Sequence, residues 1–207
     1  MKEEIRMTSQ SRYPFYNVMN EQEAWDAHTR NIVRSRLEPS SQLRYLEMEE
    51  LQLLRSVCRV LLDETRSEML AFVVSHIDQV LASPVGEAQR KAAVLPQGKL
   101  IRDGLQRMRL STLLYDFAAM DQTELAALEQ LLSQLSEGCA ESAEVWTGFD
   151  QKAFFKSLLS MAADGYYSHP DIWSEIGYGG PAYPRGYVRA SLGQIDPWEA
   201  NSPMNHP

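Results

Sequence analysis

From Asp164 the chain reads Gly-Tyr-Tyr-Ser-His-Pro-Asp-Ile-Trp-Ser-Glu-Ile-Gly-Tyr-Gly-Gly-Pro-Ala-Tyr-Pro-Arg-Gly-Tyr187. Between Gly165 and Trp198 stand seven of its nineteen aromatic residues and six of its eleven glycines. Glycine frees the backbone, and proline fixes φ and removes a donor, so both interrupt regular elements. A segment punctuated this way is expected to run as an extended, irregular loop with its rings laid on a surface. Tyr and Trp displayed on ordered loops suit contact with a partner or ligand. They equally suit a loop that wraps its own domain, and composition fits both.

Upstream the pattern changes. Asn20-Glu-Gln-Glu23 has the cap-then-Glu spacing of a helix start, and the spacing predicts a helix to about Arg36, stopped by Glu38-Pro39-Ser40-Ser41. A second helix is predicted over 47–62, with Leu51, Leu54, Val57, Cys58 and Leu61 recurring at three and four. A third, over 66–81, carries Met69, Phe72, Val73, His76, Ile77 and Val80 and ends at Ser83-Pro84-Val85-Gly86. The stretch 99–119 repeats the register with Ile101, Leu105, Met108, Leu113 and Phe117. Asp121-Gln-Thr-Glu124 opens a helix to about Leu135, with Gly138 as a left-handed stop. Asp150 caps a last helix bearing Phe154, Phe155, Leu158, Leu159 and Ala162, ending at Asp164-Gly165. No segment alternates as a strand does. The reading is all-α: one helical domain of about six helices over 20–164, a flexible arm at 1–19, and an extended segment at 165–207.

The formal net charge is −8, and residues 1–150 hold 16 Lys and Arg against 23 Asp and Glu. An acidic body repels phosphate backbones, which argues against a nucleic-acid partner. The aromatic tail, with four basic and five acidic residues over 151–207, is close to neutral and fits a protein-facing surface better. Apolar runs are too short for a membrane span. The first 20 residues show neither a hydrophobic signal stretch nor a twin-arginine pair. The expected address is therefore the cytoplasm, or the periplasm only under escort by a partner. Cys58, inside an apolar stripe, is expected to be a buried thiol; sequence does not decide whether it pairs with Cys139.

Residues for catalysis are scarce. His76 lies on an apolar helix face, as a core histidine does, while His28 and His206 sit among polar neighbours. His169 alone is embedded in the aromatic stretch, where Asp164 or Asp171 could join it in a metal site or an acid–base pair. Pro170 is expected to hold the backbone extended there. Gly177-Tyr-Gly-Gly180 lacks the spacing of a dinucleotide fingerprint, and there is no phosphate-loop lysine motif. Asp150, Asp164 and Asp171 read as capping and turn residues.

The helix at Phe154-Phe155-Lys-Ser-Leu-Leu, then Gly165, Tyr166, Tyr167, Pro170, Trp173, Ile176, Gly177 and Tyr178, resembles the gluconate 2-dehydrogenase subunit 3 family. That pattern is a helix, a Gly-aromatic-aromatic turn, a Pro, a Trp and an Ile-Gly-aromatic-Gly segment. The resemblance is specific over about 150–190, with a weaker echo at Leu46-Glu-Met-Glu-Glu-Leu51. Only Asp171 and Ile172 stand between Pro170 and Trp173, where many members insert Tyr-Gly-Gly-Asn. Many members also carry a twin-arginine export signal.

The resemblance implies a non-catalytic small subunit that binds and stabilises a glucose–methanol–choline type flavoprotein acting on a sugar, polyol or gluconate-type substrate. FAD is then expected in the partner and no cofactor or metal in this chain. A cytochrome subunit is a further expected member of such a complex. The residues expected to face the partner are Tyr166, Tyr167, His169, Pro170, Trp173, Tyr178, Gly179, Gly180, Pro181, Tyr183 and Pro184. Two alternatives stand beside this reading. One is a small stand-alone enzyme using His169 with Asp164 or Asp171; the other is a self-associating helical protein.

Overall fold

A computed structural model describes residues 13–38, 42–83, 95–112, 117, 119–140 and 143–201. In chain order, a 3-10 helix at Val18–Ala24 precedes α1 (Ala27–Ser35), α2 (Met48–Leu62), α3 (Ser67–Leu81) and α4 (Gln97–Ser111). Then come α5 (Gln122–Glu137), α6 (Ala143–Trp146), α7 (Gln151–Tyr166) and α8 (Pro170–Ile176). No strand occurs among the described residues, so the all-α class predicted from the spacing holds. The chain divides into two compact units, one made of residues 39–166 and one made of the two ends, up to 38 and from 167.

The central unit is built around α7, which packs on α2, α3, α4 and α5. Its buried positions Phe154, Leu158, Met161 and Ala162 follow the helical period and meet Leu54 and Val57 of α2, Ile77 of α3, Leu105 of α4 and Leu135 of α5 in one core. Fully burying an aliphatic or aromatic side chain of this size stabilises by about 1.5–3 kcal/mol. The predicted capping of α5 is present: Asp121 accepts from the Thr123 and Glu124 amides, and Gly138 takes φ 73°. Glu47 and Glu50 close a similar box at the start of α2. Asp150 accepts from the Ala153 amide at 3.0 Å. Cys58 and Cys139 are both free; burial pushes the Cys58 thiol up to about 12.

Two close approaches set the helix spacing. A Cβ on Gly104 of α4 would fall 2.2 Å from the Phe154 ring, so this glycine lets α4 reach α7. Gly165, read from sequence as a helix stop, lies within α7, and a Cβ there would sit 3.2 Å from the His76 ring. Its missing side chain admits α3, and the helix continues to Tyr166. A buried staple also lay outside the apolar pattern. The Asp78 carboxylate accepts from the amides of Arg44, Tyr45 and Leu46 at 2.7, 3.0 and 2.7 Å, pinning the chain ahead of α2.

The other differences are local. The single helix predicted over 20–36 is a 3-10 helix capped by Asn17, then α1 capped by Asp26, which accepts from the His28 and Thr29 amides. A local side-chain acceptor restarts the helix at Asp26, and the Asn20 start was misplaced. The stretch predicted as helix over 99–119 is α4 at 97–111, with Leu113 outside the described residues. Pro39, Ser40, Ser41, Pro84, Val85, Gly86 and His206 also lie outside them. Within the stretch expected to be an arm up to residue 19, Val18 is fully buried.

Candidate functional site

The aromatic stretch does not run extended throughout. His169 is extended at φ −79° and ψ 134°, as the residue before proline should be. The next residue, Pro170, opens α8 at its first turn, where a missing N–H costs nothing. The His169 Nδ1 accepts from the Asp171 amide at 3.2 Å, so it is engaged as a helix cap. Asp171 Oδ2 lies 3.7 Å from that same nitrogen. Asp164 belongs to the other unit. Among the described residues no group of three or more His, Cys, Asp and Glu could hold a metal ion.

Trp173 is buried in the core of the end unit with Val18, Trp25 and Val33. Its indole N–H donates to the Tyr167 carbonyl at 2.6 Å, and the Tyr178 ring stands edge-on to it at 5.5 Å. Arg36 lies over the same indole, 5.4 Å from its centroid, and donates to the Ser168 carbonyl at 2.9 Å. Burial lowers the pKa of that guanidinium. Gly177 ends α8 in the left-handed region at φ 77°. Gly180 is also left-handed at φ 77°, and a Cβ there would meet the Trp25 ring at 2.7 Å.

The residues expected at a partner surface therefore separate. His169, Pro170, Trp173, Gly179 and Gly180 are buried; they shape the unit from inside. Tyr166 belongs to the central unit, where its hydroxyl donates to Glu64 Oε2 at 3.3 Å. Pro181 is half-buried, and Tyr167, Tyr178, Tyr183 and Pro184 are exposed. Tyr183 is 71% exposed. Beyond the residues expected at a partner, Tyr187 (62%), Val188 (59%), Leu192 (105%) and Ile195 (44%) are exposed on the same tail. Apolar side chains between Gly and Pro residues, without a helical period to bury them, were the available signal.

The tail is folded although it has no regular secondary structure. Asp196, fully buried, accepts through Oδ1 from the Val188 and Arg189 amides at 2.7 and 2.8 Å. Arg185 lies 4.5 Å from the Trp198 ring centroid and donates to the Gly179 carbonyl. Tyr16 donates its hydroxyl to the Trp198 carbonyl at 2.7 Å. Burial first, then the carboxylates of Glu21 and Glu199, push the Tyr16 pKa up to about 12 against the opposing pull of Arg185. Burial and the neighbouring Tyr187 raise Tyr178 as well.

A sequence model described as gluconate 2-dehydrogenase subunit 3 matches residues 48–180. That is well over half of the chain. The chain belongs to the gluconate 2-dehydrogenase subunit 3 family. No curated protein and no solved structure matches it. The family match runs from α2 through α8 to Gly180, so it includes Trp173 and Tyr178 and ends before Tyr183 and Tyr187. No helix among the described residues is long and apolar enough to cross a membrane.

Several cavities lie among the described residues. One of about 430 Å³ lies between α2 and the start of α3, lined by Arg55, Ser56, Arg59, Ser67 and Phe117 among others. Two more, of about 470 and 220 Å³, lie against residues 189–194 and against Tyr13–Tyr16 with Asn201.

Proposed function

We propose that this chain is a non-catalytic accessory subunit that binds and stabilises the large, FAD-carrying subunit of a dehydrogenase. Family membership over residues 48–180 is the observation that carries the reading. The exposed tail supports it: Tyr178, Tyr183, Tyr187 and Leu192 stand out on a loop whose backbone is held from within. Tyr rings bury large area with few rotors to freeze, and a few of them can dominate an interface. Stabilisation follows by mass action, because a partner that binds only the folded flavoprotein shifts its equilibrium toward that state.

On this reading the flavin and the reacting substrate, a sugar, polyol or related alcohol, belong to the partner, and a cytochrome subunit is a further candidate member. No step of the oxidation is assigned to this chain. The test is co-expression with a flavoprotein large subunit of the glucose–methanol–choline type. The large subunit is expected to be more soluble, and to melt at a higher temperature, with this chain than without it. Equal yield and equal melting with and without this chain would remove the reading.

A further inference from the structure

The two ends of the chain, separated by the whole central unit in sequence, meet at one hydroxyl. The tail from Gly179 to Trp198 closes on itself as a loop. A Cβ on Gly179 would fall 2.6 Å from Trp198 Cδ1, which shows how near the loop's ends lie. Inside the loop, Asp196 gathers the Val188 and Arg189 amides, and Gln194 Oε1 accepts from the Ala190 and Ser191 amides at 3.2 Å. These bonds set the loop's shape but do not fix it to the rest of the unit.

The fixing bonds are at the neck. Tyr16 donates to the Trp198 carbonyl at 2.7 Å on one side and lies 3.4 Å from the Tyr178 carbonyl on the other. Trp25 and Val18 floor the same neck beneath Gly180, at 2.7 and 3.1 Å from where a Cβ would stand. The Val18 amide donates to Ser174 Oγ at 3.1 Å, tying the N-terminal segment to α8 just before the loop begins. The backbone bond at the neck from the Ala200 N–H to the Gly177 carbonyl is long at 3.4 Å.

We propose that Tyr16 is a positioning residue: its hydroxyl closes the neck of the 179–198 loop and so holds Tyr183, Tyr187 and Leu192 ready for the partner. The docking half of this proposal rests on the accessory-subunit reading; the neck half does not. A loop of about twenty residues without strands or helices samples many conformations once its ends part, and ordering it on binding costs affinity. A hydroxyl bonded to one side of the neck and set against the other removes part of that cost before the partner arrives. Tyr16 and Trp25 lie ahead of the family-matched residues, and most of the loop lies after them. The two ends of the chain thus work as one device.

The experiment compares the full-length wild type with Tyr16→Phe and Tyr16→Ala, by amide hydrogen exchange and by capture of the flavoprotein from co-expressing cells. Tyr16→Phe keeps the ring and removes only the donor, so folding is expected to survive. Amides of 182–199 are expected to exchange about three- to tenfold faster in Tyr16→Phe, the size of one lost hydrogen bond, and faster still in Tyr16→Ala. Amides of α7 should keep wild-type protection, and capture should fall in the same order. Unchanged loop protection in Tyr16→Ala overturns the neck role. Faster loop exchange with undiminished capture overturns its service to docking. If the wild type captures no flavoprotein, the accessory reading falls and the docking half with it, while the exchange comparison still decides the neck.

Discussion

Tyr16 and Trp198, 182 positions apart, are joined by a hydrogen bond of 2.7 Å from hydroxyl to carbonyl. The bond exists only while the phenol keeps its proton. The Tyr16 pKa stands at about 12 in the folded chain against 10.0 for an unperturbed tyrosine. A folded pKa raised above the unfolded one means that the folded state binds the proton more tightly. The resulting stability is fully present below pH 10 and is lost as pH rises through about 12. Tryptophan fluorescence of the end unit, followed from pH 9 upward, is expected to report a transition in that window. Tyr16→Phe should abolish its coupling to tyrosinate formation.

Gly104 and Phe154 give a second test. Gly to Ala in a helix interior ordinarily stabilises by about 0.5–1 kcal/mol. Here the added methyl would enter the Phe154 ring, which is fully buried and cannot swing aside. Overpacking of this kind costs about 1–3 kcal/mol, so Gly104→Ala should be net destabilising in denaturant unfolding. A gain in stability would mean that α4 and α7 stand farther apart than described.

Glu64 is a buried carboxylate at the join between α2 and α3. Burial alone would raise its pKa, but the hydrogen bonds and charge of Arg66, with the Thr65 amide, bring it below the usual carboxylate value. Its oxygens lie 2.6 Å from Arg66 Nη2 and 2.7 Å from the Arg66 amide. A lowered folded pKa gives stability that is present above the unfolded value, 4.5, and lost as pH falls through the folded one. Glu64→Gln is expected to cost about 1–3 kcal/mol at neutral pH and much less in acid. Equal loss at both would assign Glu64 a packing role alone.

Trp173 and Tyr183 should behave oppositely. Trp173 is core, and Trp173→Ala is expected to destabilise the end unit by about 3–5 kcal/mol. Tyr183 is 71% exposed, so Tyr183→Ala should leave the melting temperature unchanged. On the proposed function it weakens the complex by about 2–4 kcal/mol, as removal of an interface anchor does. Melting curves and co-purification of each variant separate the two effects.

Much of the central unit was legible because its helices follow one rule. Apolar residues at three and four, with Asp121 and Asp150 as caps, are local signals, and the structure keeps them. What could not be read was non-local. Gly165 has the composition of a stop, yet its neighbour across space is His76, and a close approach leaves no mark in its own segment. Asp78 looks like a polar interruption of α3 until the Arg44–Leu46 amides are placed against it. The surface was legible only by type. The stretch 165–187 announced displayed rings, but which rings face inward depends on Trp25 and Val18, more than a hundred positions away. His169-Pro170 held a readable cap-and-proline start for α8 that the glycines on either side obscured.

The central claim is that this chain works as the partner of a flavoprotein and carries no flavin itself. Its most direct test is the flavin-to-chain ratio of the tagged, full-length protein isolated from its source cells, before and after dissociation of the complex. The expected result is flavin present in the complex, all of it leaving with the large subunit. A chain that emerges with no flavoprotein, or one that retains flavin after separation, would contradict the account.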